Sequence, residues 1–181
     1  MLWRWDGVEF KVLHPGAEIY EEAIGPRPTP GRRHPGEVRG PIKRKENDRG
    51  CVVRIATRGA SALLATDVEA RGEAEMLARD AGALQADVLL VPHHGSKTSS
   101  TPSFLDAVAP AVGLISVGYR NRFRHPHETV VARYVERSVT LRRTDLEGAL
   151  HVVLPGESPA AIRIEGYARR QRYWSERRVP P

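Results

Sequence analysis

Asp87-Val88-Leu89-Leu90-Val91-Pro92-His93-His94-Gly95-Ser96-Lys97-Thr98-Ser99-Ser100 decides how this chain reads. An apolar run of strand length stops at Pro92 and gives way to two histidines, a glycine and a cluster of hydroxyls. Such a run reads as a buried strand, which puts His93 and His94 where that strand leaves its sheet. In open α/β sheets, ligands gather outside the carboxyl ends of the strands, and neutral imidazole is the commonest side-chain metal ligand. In an extended chain, successive side chains point to opposite faces. One of the two histidines is therefore expected to face a metal while the other orients a neighbour.

The segments on either side alternate between strand and helix patterns. Upstream, residues 51–57 and 61–65 read as strands joined by Arg58-Gly59-Ala60, and residues 68–81 carry apolar side chains at helical spacing. Downstream come a helix near 102–108, a strand at 112–117 and a helix at about 127–137. Strands at 139–143 and 149–154 are read as a closing pair. Asp6-Gly7 is a two-residue turn signal inside a hairpin over residues 1–13. Residues 14–48 are rich in Pro, Gly, Arg and Lys and read as a long basic loop. The core is expected over 49–165, with an Arg-rich tail over 166–181. Alternating strands and helices give an α/β fold class.

Composition narrows the function classes. The chain has 181 residues, enough for one domain with a real core. Its net charge is +6, its pI is about 9.9, and the cations are mostly arginine, which favours an anionic partner with nucleic acid the first candidate. Arg32, Arg33, Lys43, Arg44 and Lys45 are the candidate phosphate contacts in the basic loop. No apolar run approaches the roughly 20 residues needed to span a bilayer, so no lipid insertion is expected. Cys51 is the only cysteine, which excludes an internal disulfide, and its apolar setting reads as a core thiol.

Three polar stations end three different strands at the same edge. Asp67 closes the first, where Thr66-Asp67-Val68-Glu69 also matches a capping box with Thr66 as N-cap. His93-His94 is the second. The third is Asn121-Arg122-Phe123-Arg124-His125-Pro126-His127, where Pro126 suits a first helical turn and places His125 at the cap. There His125 could donate to a phosphate or leaving group, or could belong to a solvated basic loop. Ser96, Lys97, Asn121, His93 and His127 are candidates for supporting or phosphate contacts.

The stretches 64–69, 86–100 and 118–127 together resemble the carboxyl-terminal metallo-β-lactamase-like domain of ComEC-family competence proteins. These are multi-pass membrane proteins of DNA uptake in natural transformation. Residues 5–15, Asn47, residues 51–54, Arg143-Thr144-Asp145, Gly148-Ala149, Arg169-Arg170 and Arg172-Tyr173-Trp174 fit the same family. The resemblance implies the second half of a four-layer αββα sandwich, with one sheet face left uncovered. It further implies that Asp67 is the carboxylate that bridges two metals and His94 the late histidine ligand, with Zn2+ or Mn2+ held weakly or not at all by the chain alone. The superfamily's His-x-His-x-Asp-His cluster is absent: upstream of residue 49 the only histidines are His14 and His34. Thr66 and Gly50 stand where the family has glycine and serine.

The expectation is a partial metal-dependent hydrolase, phosphodiesterase- or nuclease-like, inactive by itself. It would be a soluble segment of a bacterial cytoplasmic-membrane protein, arising as a gene fragment, a split gene or a mis-called start. Its partners would be DNA and either the membrane-embedded remainder of a competence protein or a missing upstream half-domain. The alternatives are a non-catalytic DNA-binding module and a hydrolase of a small ester or lactam.

Overall fold

The computed structural model describes residues 1–16, 46–156 and 162–167. Seven strands form one sheet in the order of the chain: β1 (Leu2–Trp5), β2 (Val8–His14), β3 (Val52–Ala56), β4 (Ser61–Leu64), β5 (Val88–Leu90), β6 (Val112–Ile115) and β7 (Thr140–Arg143). The first four are antiparallel neighbours, and β4 through β7 run parallel. Helices α1 (Ala70–Asp80), α2 (Pro102–Val108) and α3 (Glu128–Glu136) make the crossovers of the parallel part. The α/β expectation holds at this level.

Register sorts the strands into two faces. One carries Val52, Leu63, Leu89 and Ile115, all fully or almost fully buried, against Met76, Leu84, Phe104, Leu105, Val108, Val130 and Tyr134 from the helical side. At about 25 cal/mol per Å2 of apolar surface removed from water, this layer is the main source of stability. The opposite face carries the buried Ala62 and Val88 together with Phe10, Val12, Val53, Ile55, Leu64, Leu90, Val112 and Leu114, which are apolar yet only partly buried. Trp3 extends this face and stacks on Phe10 with ring centroids 5.1 Å apart.

Several sequence expectations need correction. Residues 139–143 and 149–154 do not pair with each other. β7 adds parallel to β6, the helical turn α4 (Thr144–Glu147) follows, and β8 (Leu150–Val153) pairs instead with β9 (Arg163–Gly166). That hairpin is tied to the main sheet by Arg142, which donates to the Ile164 carbonyl, and by Thr57, which donates to the Pro155 carbonyl. Cys51 is exposed, because β3 begins one residue later with the buried Val52. Thr66 does not cap α1: its φ is +46°, the N-cap residue is Glu69, and Glu69 makes no side-chain cap bond. Pro126 precedes α3 rather than opening it, and the cap is His127, whose Nδ1 accepts from Thr129 N–H. The stretch read as a loop over 14–48 begins inside β2 at His14 and ends in a 3-10 turn at Glu46–Arg49. The remainder of it, with Arg32, Arg33, Lys43, Arg44 and Lys45, lies outside the described residues, as does most of the Arg-rich tail.

Behind the histidine loop, Glu73 is completely buried and accepts the backbone N–H groups of Ser100 at 2.5 Å and Thr101 at 2.8 Å. It thereby satisfies backbone donors where α2 begins. Burial pushes its carboxyl above the ordinary 4.5, against the opposing pull of those donors and of Arg133. A folded-state carboxyl raised in this way binds more protons than the unfolded one. Its contribution to stability is therefore present at low pH and is lost as pH rises from 4.5 through the raised value. Glu73→Ala should cost about 2–4 kcal/mol by leaving buried donors unpaired, measured by urea titration. Compared with Glu73→Gln, the unmodified chain should show the steeper fall in stability across that pH interval.

Candidate metal and phosphate site

The site is built from the carboxyl ends of β4, β5 and β6. After β5 the chain does not continue extended. His93, His94 and Gly95 have φ values of +48°, +57° and +80°, three successive left-handed residues. The strand-alternation argument therefore fails for this pair. Both rings lie on the same rim, with centroids 6.4 Å apart.

The corner is pinned from both sides. His93 N–H donates to the Thr66 carbonyl at 2.8 Å, and His127 N–H donates to the Gly95 carbonyl at 2.8 Å. A Cβ at Gly95 would sit 2.6 Å from Cβ of Pro126, so glycine is required for packing as well as for conformation.

His94 Nδ1 lies 2.6 Å from the Ser116 carbonyl. A carbonyl only accepts, so Nδ1 carries the proton and Nε2 presents its lone pair outward. Nε2 is 3.5 Å from Asp67 Oδ1, and both side chains are about half exposed. Two donors bound at about 2 Å to one tetrahedral ion stand roughly 3.3–3.5 Å apart, so the pair fits two corners of such a site. An imidazole that donates its other N–H to a carbonyl is the usual arrangement around a bound metal. Among the described residues no group of three or more His, Cys, Asp or Glu side chains could hold an ion. Among the described residues, Asp67 and His94 are thus a pair of candidate donors and not a complete ligand set.

On that rim His93 faces Glu69, Asn47 and Thr98. Its Nδ1 lies 3.6 Å from Glu69 Oε1 and 3.4 Å from Thr98 Oγ1, while Asn47 Nδ2 stands 3.4 Å from its Nε2 and donates to Glu69 at 3.1 Å. Sequence reasoning gave no role to Glu69 beyond capping and none to Asn47. The missed signal is Glu69 itself, a carboxylate two residues beyond Asp67, whose side chain meets Asn47 and His93 and makes no cap bond.

His125 sits 6.1 Å from His93, ring centroid to centroid, and stacks on Phe123 at 6.0 Å. Its Nδ1 is buried without a partner. Burial, and then the neighbouring His93, His94 and His127, lower its pKa below the ordinary 6.5. At neutral pH it is a neutral imidazole, able to accept a proton or to donate a neutral N–H, and poorly suited to act as an imidazolium acid.

The other predicted residues fall around this group in different ways. Asn121 folds back on His125, donating to its carbonyl at 2.8 Å and accepting its N–H at 2.9 Å. Ser96 is buried, with its hydroxyl 3.1 Å from that of Thr98. Lys97 is exposed, and His127 caps α3.

Gly95→Ala should destabilise the chain by about 1–3 kcal/mol, since left-handed strain and overpacking add. It should also broaden the His94 and His125 ring resonances in NMR. In the unmodified chain His125 should titrate below the free-imidazole value, giving up its proton as pH rises before an ordinary histidine would.

No protein-family profile matches the chain. It is 33% identical over 175 residues to Competence protein ComA of Neisseria gonorrhoeae, covering 97% of the chain and 22% of that protein. It is 36% identical over 110 residues to ComE operon protein 3 of Bacillus subtilis, covering 61% of the chain and 14% of that protein. It is 31% identical over 150 residues to Recombination protein 2 of Haemophilus influenzae, covering 83% of the chain and 16% of that protein. The chain spans less than a quarter of the length of these curated relatives. No helix among the described residues is long and apolar enough to cross a membrane. The chain that carries Asp67, His94 and His125 is thus similar to a segment of Competence protein ComA of Neisseria gonorrhoeae and to segments of the other two relatives.

Proposed function

We propose that this chain supplies half of a metal-dependent phosphodiesterase site that acts on DNA during competence, and that it is catalytically incomplete alone. The observation that carries the reading is the His94 Nε2–Asp67 Oδ1 separation of 3.5 Å, with the opposite nitrogen of His94 locked on the Ser116 carbonyl. In this reading Asp67 and His94 hold a divalent ion, Zn2+ or Mn2+, and an upstream half-domain of the metallo-β-lactamase kind adds the missing ligands. The partly buried apolar sheet face is where a second sheet would pack, and the whole would form part of a membrane-associated competence protein. A divalent ion held by Asp67 and His94 with the further ligands would supply Lewis-acid activation of water and charge neutralisation at the phosphoryl group.

The chain's own residues then divide the work. Asp67 and His94 fix the ion, and Glu69, Asn47 and Thr98 hold His93 beside it. Neutral His125 accepts a proton or donates its N–H to a phosphate oxygen, with Asn121 fixing its backbone. A second reading, a non-catalytic DNA-binding module, draws on the +6 net charge. It predicts that DNA affinity ignores Asp67 and His94.

The corresponding upstream segment of the Neisseria gonorrhoeae relative, fused to this chain, should cleave labelled DNA with added Mn2+ or Zn2+. Asp67→Ala or His94→Ala in the fusion should lower turnover by about 100-fold or more. His125→Ala should slow turnover while leaving metal content unchanged. Cleavage by the fusion that is indifferent to Asp67 and His94 would refute the half-site reading, as would robust metal-dependent cleavage by the 181-residue chain alone.

A further inference from the structure

The loop between β6 and α3 carries a feature that neither metal binding nor proton transfer uses. Tyr119 and Phe123 are large aromatic side chains left 63% and 65% exposed, and they alternate with the exposed Arg120, Arg122 and Arg124. The guanidinium of Arg120 lies 5.1 Å from the centre of the Tyr119 ring, and that of Arg122 lies 4.8 Å from the centre of the Phe123 ring. Phe123 also leans on His125, with ring planes only 17° apart. Phe123, His125 and His93 are thus successive ring neighbours, with centroids 6.0 and 6.1 Å apart.

The loop is held in this shape. The Asn121 amide brackets the backbone of His125, Arg124 N–H donates to the Asn121 carbonyl at 3.2 Å, and Arg120 and Arg124 take φ values of +53° and +56°. Left-handed backbone at two arginines is a conformation the surroundings must impose. An isolated exposed aromatic is ordinary. Two of them, each beside a guanidinium and arranged along a fixed loop at the mouth of a polar site, form a different kind of surface.

We infer that this loop is a nucleobase-stacking platform, on which unpaired bases take the faces of Phe123 and Tyr119 that Arg122 and Arg120 now cover, and the displaced guanidiniums hold the phosphates between them. The inference rests on the DNA-facing site proposed above and adds the form of the substrate at its entrance. Aromatic rings in a basic groove bind single strands because every base has a π-face, whereas a paired base keeps its faces inside the duplex stack. Arginine suits both tasks, since its planar cation stacks on rings and pairs with phosphate.

The test is fluorescence anisotropy of the full chain with a labelled oligothymidylate and with a duplex of the same length, across a salt series. Raising salt weakens the ionic contribution of all the arginines and lysines, including those of the basic loop and tail, and leaves stacking in evidence. Phe123→Ala should weaken single-strand binding about tenfold, in line with the loss of one base–aromatic stack. It should leave duplex binding within about twofold. Phe123→Leu should behave like alanine, while Phe123→Trp should retain single-strand affinity. Tyr119→Ala should lower it further.

Unchanged single-strand affinity in both Phe123→Ala and Tyr119→Ala would overturn the platform, and so would an equal loss for single strand and duplex. None of these readouts requires metal or cleavage. A failed half-site with an intact platform, or the reverse, can therefore be told apart.

Discussion

Everything at the rim formed by the ends of β4, β5 and β6 hangs on one backbone corner, the left-handed run His93-His94-Gly95. Its hydrogen bonds reach the loop after β4 through the Thr66 carbonyl and the start of α3 through His127 N–H, and the His94 ring reaches the end of β6 through Ser116. Three separate strand ends are thereby locked to one another. Side chains from each, Asp67, His94 and His125, come to share a rim only because that lock exists. Glycine at position 95 is the condition for it, since the Pro126 ring occupies the space a Cβ would need.

Magnitudes indicate what the corner is for. Non-glycine residues held at positive φ cost on the order of 1–3 kcal/mol each, and Thr66, His93 and His94 are all in that region. The His94–Asp67 contact is half exposed, and pairs of that kind contribute about 0–1 kcal/mol at most. The pair cannot offset the strain that places it, so its geometry is not explained by stability. The buried layer of Leu63, Leu89, Phe104, Leu105 and Tyr134 carries that load, with Glu73 bonding the backbone where the histidine loop meets α2. Electrostatics point the same way. Several imidazoles crowd one rim, and burial with mutual repulsion keeps His125 neutral where a free histidine would still be partly charged.

Much of this was legible in the residues. The apolar runs at 61–65, 87–91 and 112–117 are short, unbroken and spaced by helical patterns, a combination that suits an α/β sheet covered by helices. Asp67, His94 and His125 could therefore be assigned to a common edge before any coordinate. The detailed corner was not legible, because positive φ at histidine and threonine has no signature in composition. Glu69 matched a capping box, and tertiary contact with Asn47 and His93 took it elsewhere. The partner of β8 was hidden for a similar reason. Arg163-Ile164-Glu165-Gly166 has one strongly apolar residue and sits beside an arginine-rich tail, so charge masked a strand whose pairing is set by β8. Cys51 misled because one position of register separates a core residue from an exposed one.

The central claim is that His94 Nε2 and the Asp67 carboxylate are two arms of one metal site that this chain half supplies. Anomalous diffraction at the zinc edge from crystals of the chain joined to a relative's upstream segment addresses it directly. The account predicts an anomalous peak about 2 Å from both His94 Nε2 and an Asp67 oxygen, with Nδ1 still donating to Ser116. A peak bound only by residues of the upstream segment, with His94 and Asp67 still 3.5 Å apart and no ion between them, would contradict it.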